Sequence, residues 1–481
     1  MDVTPHVAMS VVTHAVACVP SRAGGALRRR DVRRRLARAP RVVADSRPSG
    51  ARAQPEPTIR RRHALLGALA SFVAAEPASA AVKLLPDGLD EQRRFFQTFP
   101  PLWEPYFGWG ERVTVRRELV PGVIWSLEQE QALDVLAMNV RTTVVKLEKT
   151  GGLVVFSPQA PTEEFFRLLD ELGRVEHVVI PTYAIEHKVF CPAFQRRYPS
   201  AQCWVAEGLW SVPVDLPLEW IGINPSGTLV PGGPNAEHPA PPWFDEIDYK
   251  VLRVDTAGAN PYIEATFLHR ASRSLLVTDL VLSIPTEPPE VISRERLLDL
   301  APDDPADAPA AMSDEALRVG WAKASLVVSF LGPSRQEQTK EGKLRWEPGY
   351  EKSFALVSDR LIPSPILRTL VFDKGRGPTR RFLDEVCADW GSRETTTTNE
   401  EGETVVTPPT GPGFDRIIPA HYDAPVRAGP DDLRRAFAFL DAGSFAEGLA
   451  AAGAELPEED MGTLLKVNDV LEKIGLGKGT E

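Results

Sequence analysis

At 481 residues, 43% hydrophobic and 25% charged, the chain has the composition of a globular protein and the length for one large α/β domain with insertions or for a few average domains. Its formal net charge of −11 is segregated: residues 1–80 hold fourteen arginines against five acids, a net +9, which leaves −20 for residues 81–481. A body this acidic argues against nucleic acid and anionic membrane as partners.

The basic N-terminal region has two parts. Residues up to about 58 are biased to Ala, Arg, Ser and Pro with few acids, which matches an organelle transit peptide better than an RNA-binding patch. Next come Arg60-Arg61-Arg62, a short apolar run over 64–75, and Ala78-Ser79-Ala80, the n-region, h-region and A-x-A site of a signal peptide. The run is too short to span a bilayer, so no integral membrane segment is expected in the mature chain. In tandem the two parts resemble the bipartite leader of chloroplast proteins sent to the thylakoid lumen, with a twin-arginine signal. The expectation is a cleaved leader over 1–80 and a mature start near Ala81; a plain stromal or mitochondrial presequence before an apolar helix is the alternative.

Beyond the leader, "RVTVRRELVPGVIWSLEQE" reads as strand, Pro-Gly turn, strand. "RTTVVKLEKTGGLVVFSP" repeats the pattern with a turn over 149–152. In "PTEEFFRLLDELG", Thr162 precedes two acids, Phe165, Leu168, Leu169 and Leu172 recur at helical spacing, and Gly173 ends the run. "VEHVVIP" predicts a buried strand, "CPAFQRRYP" a short helix and "AQCWVAEG" another strand. The Pro/Gly-rich stretch near 211–245 reads as a long surface loop or cover. "IDYKVLRVD" and "YIEATFLHRASRSLLVTDLVL" predict three further strands. The acidic insert over 298–315 reads as disordered or weakly helical, 315–391 as mostly helical, 393–413 as a polar hairpin or loop, and "FDRIIPAHYDAPV" as a final strand and loop. The tail, 426–481, predicts helices over 430–440 and 458–474. Cys18 falls in the leader, and Cys191, Cys203 and Cys387 are an odd number without paired spacing, so no disulfide framework is implied.

This order of elements, with a polar loop after "HVVIPTYAIEH", resembles the metallo-β-lactamase fold. More narrowly, 122–425 is similar to domain-of-unknown-function family 4336, through "VVFSPQAPTEEFFRLLDELGRVEHVVIP", "FLHRASRSLLVTDLV" and "FDRIIPAHYDAPV". The resemblance implies an α/β fold, an αββα sandwich of metallo-β-lactamase type. It would span 81–425, with insertions near 211–245, 298–315 and 332–410 and a helical extension over 426–481.

It also implies a site. Hydrolytic members carry His-x-His-x-Asp-His after this strand; here Thr182 and Ala184 fall on the first two histidines, Glu186 on the aspartate and His187 on the last histidine. A further histidine ligand corresponds to Ala259, the bridging aspartate to Asp279 and the final histidine to His421. One metal position thus loses its histidines while the other keeps Glu186, His187, Asp279 and His421. Two imidazoles and one or two carboxylates suffice for one Zn, Fe or Mn ion. Glu for Asp, however, adds a methylene that the loop must absorb. The metal-free alternative has Asp279 capping a loop, His421 bonded to backbone and Glu186-His187 as a solvated pair.

Glu264 and His269, an odd number apart on a strand, face opposite surfaces and cannot both join such a site. Cys191, four residues after His187, reads as packing. There is no G-x-S-x-G elbow and no His-Glu-x-x-His, and "IGLGKGTE" lacks the helix of a phosphate loop. Two classes remain open. One is a single-metal hydrolase of a small ester, thioester or phosphoester, with Tyr183 or Tyr422 as polar help. The other is a non-catalytic protein binding a small-molecule ligand in the same cleft without a metal.

Overall fold

The structure, a computed structural model, describes residues 91–95, 110–133, 136–209, 217–257, 261–339, 343–391, 395–398, 404–407, 413–473 and 478–479. The leader expected over 1–80 and Ala259 lie outside them.

Seven strands form the first sheet in sequence order. The strands Thr114–Val120, Ile124–Leu133, Leu136–Lys146 and Leu153–Phe156 pair antiparallel. Gly122, at φ +70°, supplies the left-handed position of the first turn. Val175–Ile180, Gln202–Ala206 and Gly227–Leu229 then add in parallel. Parallel neighbours need crossovers, and the helices Glu163–Asp170 and Cys191–Arg197 provide two of them. The first of these starts where the sequence indicated: Thr162 Oγ1 accepts a hydrogen bond from the Phe165 amide at 3.0 Å, and Glu163 and Glu164 occupy the positive end of the helix. Its buried Phe165 and Leu169 pack on Val155, Val178 and Val205 of the sheet. Removing each from water stabilises the fold by roughly 2–3 kcal/mol.

The second sheet has four strands, Ile247–Val254, Tyr262–His269, Ser274–Leu276 and Arg416–Ile418, the last pair parallel. Between the sheets lies the main core, which includes Val145, Phe156, Trp243, Phe267 and Ile417. The helix Arg376–Asp389 covers the outer face of Ile247–Val254, completing an αββα sandwich. A second apolar cluster gathers around the helix Asp314–Phe330, where Trp321 and Phe330 are fully buried. Among the described residues no helix is long and apolar enough to cross a membrane.

Two segments differ from expectation. The Pro/Gly-rich stretch is not all cover: it holds a 3-10 turn, Leu218–Ile221, and the three-residue strand Gly227–Leu229 that closes the first sheet. Gly227 permits this, since a Cβ there would lie 2.1 Å from the Trp204 ring. The acidic insert is irregular but held, with Asp303 bonded to the buried Lys323 Nζ at 2.7 Å and Asp304 to Arg345. Downstream, 332–410 carries two hairpins, Gln336–Gln338 with Leu344–Trp346 and Thr395–Thr398 with Thr404–Thr407. Cys191, the first residue of its helix, and Cys203 are both fully buried in the core that this helix covers, as free thiols.

Candidate metal centre

Strand ends at one edge of the sandwich bring four side chains together. After Val175–Ile180 the chain enters a 3-10 turn, Ile185–His187, closed by the His187 amide bonding the Ala184 carbonyl at 3.2 Å. Ile185, Val189 and Phe190 bury their side chains in a small apolar cluster with Phe95 and Ala160, which turns Glu186 and His187 inward. Both are buried, His187 completely. Asp279 follows Ser274–Leu276 on the second sheet, and His421 follows Arg416–Ile418.

His421 Nε2 lies 3.1 Å from Asp279 Oδ1 and 3.2 Å from His187 Nε2, and His187 Nε2 lies 3.6 Å from the same oxygen. Ligands on a tetrahedral Zn²⁺ with bonds near 2.0–2.1 Å are about 3.3–3.4 Å apart, so these atoms form one face of such a polyhedron. With Glu186, one ligand atom from each of the four residues falls within 4.8 Å of the others. The longer glutamate arm is therefore accommodated by the turn.

Hydrogen bonding orients the His421 ring. Its Nδ1 stands 3.1 Å from the Asn139 carbonyl, which can only accept, so Nδ1 carries the proton and a neutral ring presents a bare Nε2 lone pair to Asp279 and His187. Three electron-rich atoms thus converge where only a proton or a cation can sit between them. Burial pushes the His187 imidazole down, but the Asp279 carboxylate, with Glu186 and Glu264 nearby, outweighs this and holds its pKa above the ordinary value. Asp279 is the converse: burial pushes it up, yet the two imidazoles, His187 first, hold it well below the usual carboxylate range. His187 Nδ1 is buried and has no hydrogen-bond partner among the described residues, so this ring lacks the outer bond that fixes His421.

Two residues not singled out from sequence, Arg141 and Asn139, hold the His421 loop, and Glu128 holds them. Arg141, almost wholly buried, donates to the Pro419 carbonyl, to the Tyr422 carbonyl at 2.6 Å and to Glu128 at 3.1 Å. Asn139 donates to Glu128 and to the Tyr422 carbonyl, both at 3.0 Å, and accepts the Tyr422 amide at 2.9 Å. Tyr422 needs this grip because its backbone is left-handed at φ +58°, a costly conformation for a bulky residue.

The other sequence candidates separate. Thr182 gives its hydroxyl to the Ile263 carbonyl at 2.9 Å, and Ala184 has no ligand to offer. Tyr183 packs its ring on Tyr262, and Tyr422 packs on Trp321 in the second cluster, so its ring turns from the site. Glu264 reaches the Asp279 amide, whereas His269 bonds Ser272; they diverge as strand alternation requires.

The αββα sandwich has the metallo-β-lactamase type of fold, and the His/Asp/His/Glu cluster lies at its edge. The chain belongs to the family described as Domain of unknown function (DUF4336), whose model matches residues 121–439. Similar solved structures include a metallo-β-lactamase from Pontibacter korlensis, 12% identical over 43% of this chain and 83% of that one, TM-score 0.26. The metal-soaked Flv1 flavodiiron core from Synechocystis sp. PCC6803 is 9% identical over 67% and 60%, TM-score 0.34, and the DIM-1 metallo-β-lactamase 10% identical over 36% and 73%, TM-score 0.27. No curated protein sequence matches the chain.

Proposed function

We propose that Glu186, His187, Asp279 and His421 hold a single Zn, Fe or Mn ion, and that the protein is a mononuclear hydrolase of a small ester, thioester or phosphoester. The observation that carries this is the convergence of the two Nε2 atoms and Asp279 Oδ1, at 3.1, 3.2 and 3.6 Å, with the His421 lone pair aimed inward by Asn139. Glu186, buried beside these three atoms, offers the fourth ligand atom. A bound ion would supply Lewis acidity and a water of lowered pKa. Asp279, whose side chain is 15% exposed, marks the side from which a substrate reaches the cluster. The first-metal positions of dinuclear relatives have no ligand at Thr182 or Ala184, so dinuclear chemistry is not carried over. Metal analysis of protein purified without an affinity tag tests the reading. About one equivalent, lost in His187→Ala, is expected; less than a tenth of an equivalent, unchanged by that substitution, or two equivalents, overturns it.

A non-catalytic reading rests on the same cluster with a proton shared among His187, Asp279 and His421 in place of the ion, leaving a small-molecule cleft. The metal measurement separates the two.

We also propose plastid targeting, to the thylakoid lumen, on the strength of the arginine-rich and signal-like segments over 1–80. N-terminal sequencing of the protein from plastids should begin near Ala81; a start far from it overturns the assignment.

A further inference from the structure

We propose that Glu264 is a positioning residue of the metal centre, anchoring the Asp279 ligand from behind without itself binding the ion. The inference rests on the single-metal reading. Glu264 sits fully buried in the middle of Tyr262–His269, a strand in which every residue is buried. One carboxylate oxygen accepts the Thr278 amide at 2.7 Å; the other accepts the Asp279 amide at 3.0 Å and the Tyr262 hydroxyl at 2.5 Å. Three donors engage both oxygens, which leaves the group poorly placed to serve as a ligand and well placed to hold a loop.

The backbone on either side of Glu264 reaches the other half of the site. Thr182 forms an isolated bridge with Glu264, its hydroxyl bonds the Ile263 carbonyl, and the Ala265 amide bonds the Pro181 carbonyl at 2.8 Å. One short stretch of strand therefore ties down the loop leading to His187 on the first sheet and, through a single side chain, the loop presenting Asp279 on the second. Glutamine at this position keeps one acceptor oxygen but turns an NH₂ group toward a backbone N–H that also donates, so one of the two amide anchors is lost and Asp279 shifts against the imidazoles.

The test compares full-length, tag-free wild type, Glu264→Gln and Tyr262→Phe, using Zn²⁺ affinity by chelator competition and the absorption spectrum of the Co²⁺-substituted proteins. Removal of an outer anchor should weaken Zn²⁺ binding by about 10–100-fold in Glu264→Gln and alter the Co²⁺ spectrum, which a purely structural loss would leave alone. Tyr262→Phe removes one of the three bonds and should show the same spectral change to a smaller degree, which keeps the inference testable where Glu264→Gln fails to fold. Wild-type affinity and spectrum in Glu264→Gln, or in Tyr262→Phe where that is the only folded variant, overturn it. A wild type that binds neither ion overturns the metal reading and this inference together.

Discussion

The Nε2 atoms of His187 and His421 stand 3.2 Å apart, although 234 positions of sequence separate them. Two imidazoles meeting nitrogen to nitrogen against one carboxylate repel unless a proton or a metal ion lies between. Zinc added at 100 times its dissociation constant should therefore stabilise the native state by about 2.7 kcal/mol, read as a concentration-dependent rise in thermal midpoint. Either His187→Ala or His421→Ala should abolish that rise. A midpoint indifferent to metal in the wild type counts against the site.

The loop bearing His421 depends on a buried ion pair. Arg141 and Glu128 lie 3.0 Å apart with side chains 1% and 2% exposed. Arg141→Met leaves Glu128 buried without its guanidinium and abandons two carbonyls, at an expected cost of about 3–5 kcal/mol in urea unfolding. Lysine should not rescue it, because a point charge cannot reach the Pro419 and Tyr422 carbonyls and Glu128 together.

Glu128 also sets an acid limb. Burial pushes its carboxyl up, but Arg141, then Arg117 and the bond from Asn139, hold the pKa below the ordinary 4.5. A depressed folded-state value means that its contribution is fully present above the unfolded value and disappears as pH falls through the folded one. Wild-type urea midpoints should accordingly hold near pH 5 to 7 and fall at lower pH. Glu128→Gln should be less stable at neutrality yet lose less on acidification; parallel curves for the two proteins would refute the assignment.

Gly227 offers a test of the seventh strand. Alanine would place its Cβ 2.1 Å from the Trp204 ring, so the strand or the indole has to move. We expect a loss of about 1–3 kcal/mol, the usual cost of overpacking. No change in the unfolding midpoint would show that this edge is not packed as described.

Much of the fold was legible because its signals are local. Thr162 before Glu163 and Glu164, the 3.6-residue spacing of Phe165 and Leu169, and the Pro121-Gly122 turn between two strand-like stretches each declare an element within a dozen residues. The strand Gly227–Leu229 was hidden for the opposite reason: three residues inside a Pro/Gly-rich stretch have no periodicity, and only the fit beneath Trp204 makes them a strand. That Glu186, His187, Asp279 and His421 would meet could be read through family resemblance to short phrases of sequence. Glu264 could not be assigned, since its partners at Thr278 and Asp279 are backbone amides, which every residue but proline offers. A single acid in the otherwise apolar "YIEATFL" was the available clue, because a buried carboxylate is expensive without partners. Asn139 and Arg141 were obscured likewise: their value lies in contacts to carbonyls some 280 residues away.

The four proposed ligands divide evenly, Glu186 and His187 following a strand of the seven-stranded sheet, Asp279 and His421 following strands of the four-stranded one. Neither sheet alone can hold an ion tightly. Metal occupancy should therefore act as a clasp across the interlayer seam, strengthening the docking of the layers more than either layer. A chelator should then loosen the seam first, with hydrogen exchange rising in Val277 to Leu280 and Ala420 to Tyr422 while the centre of each sheet stays protected.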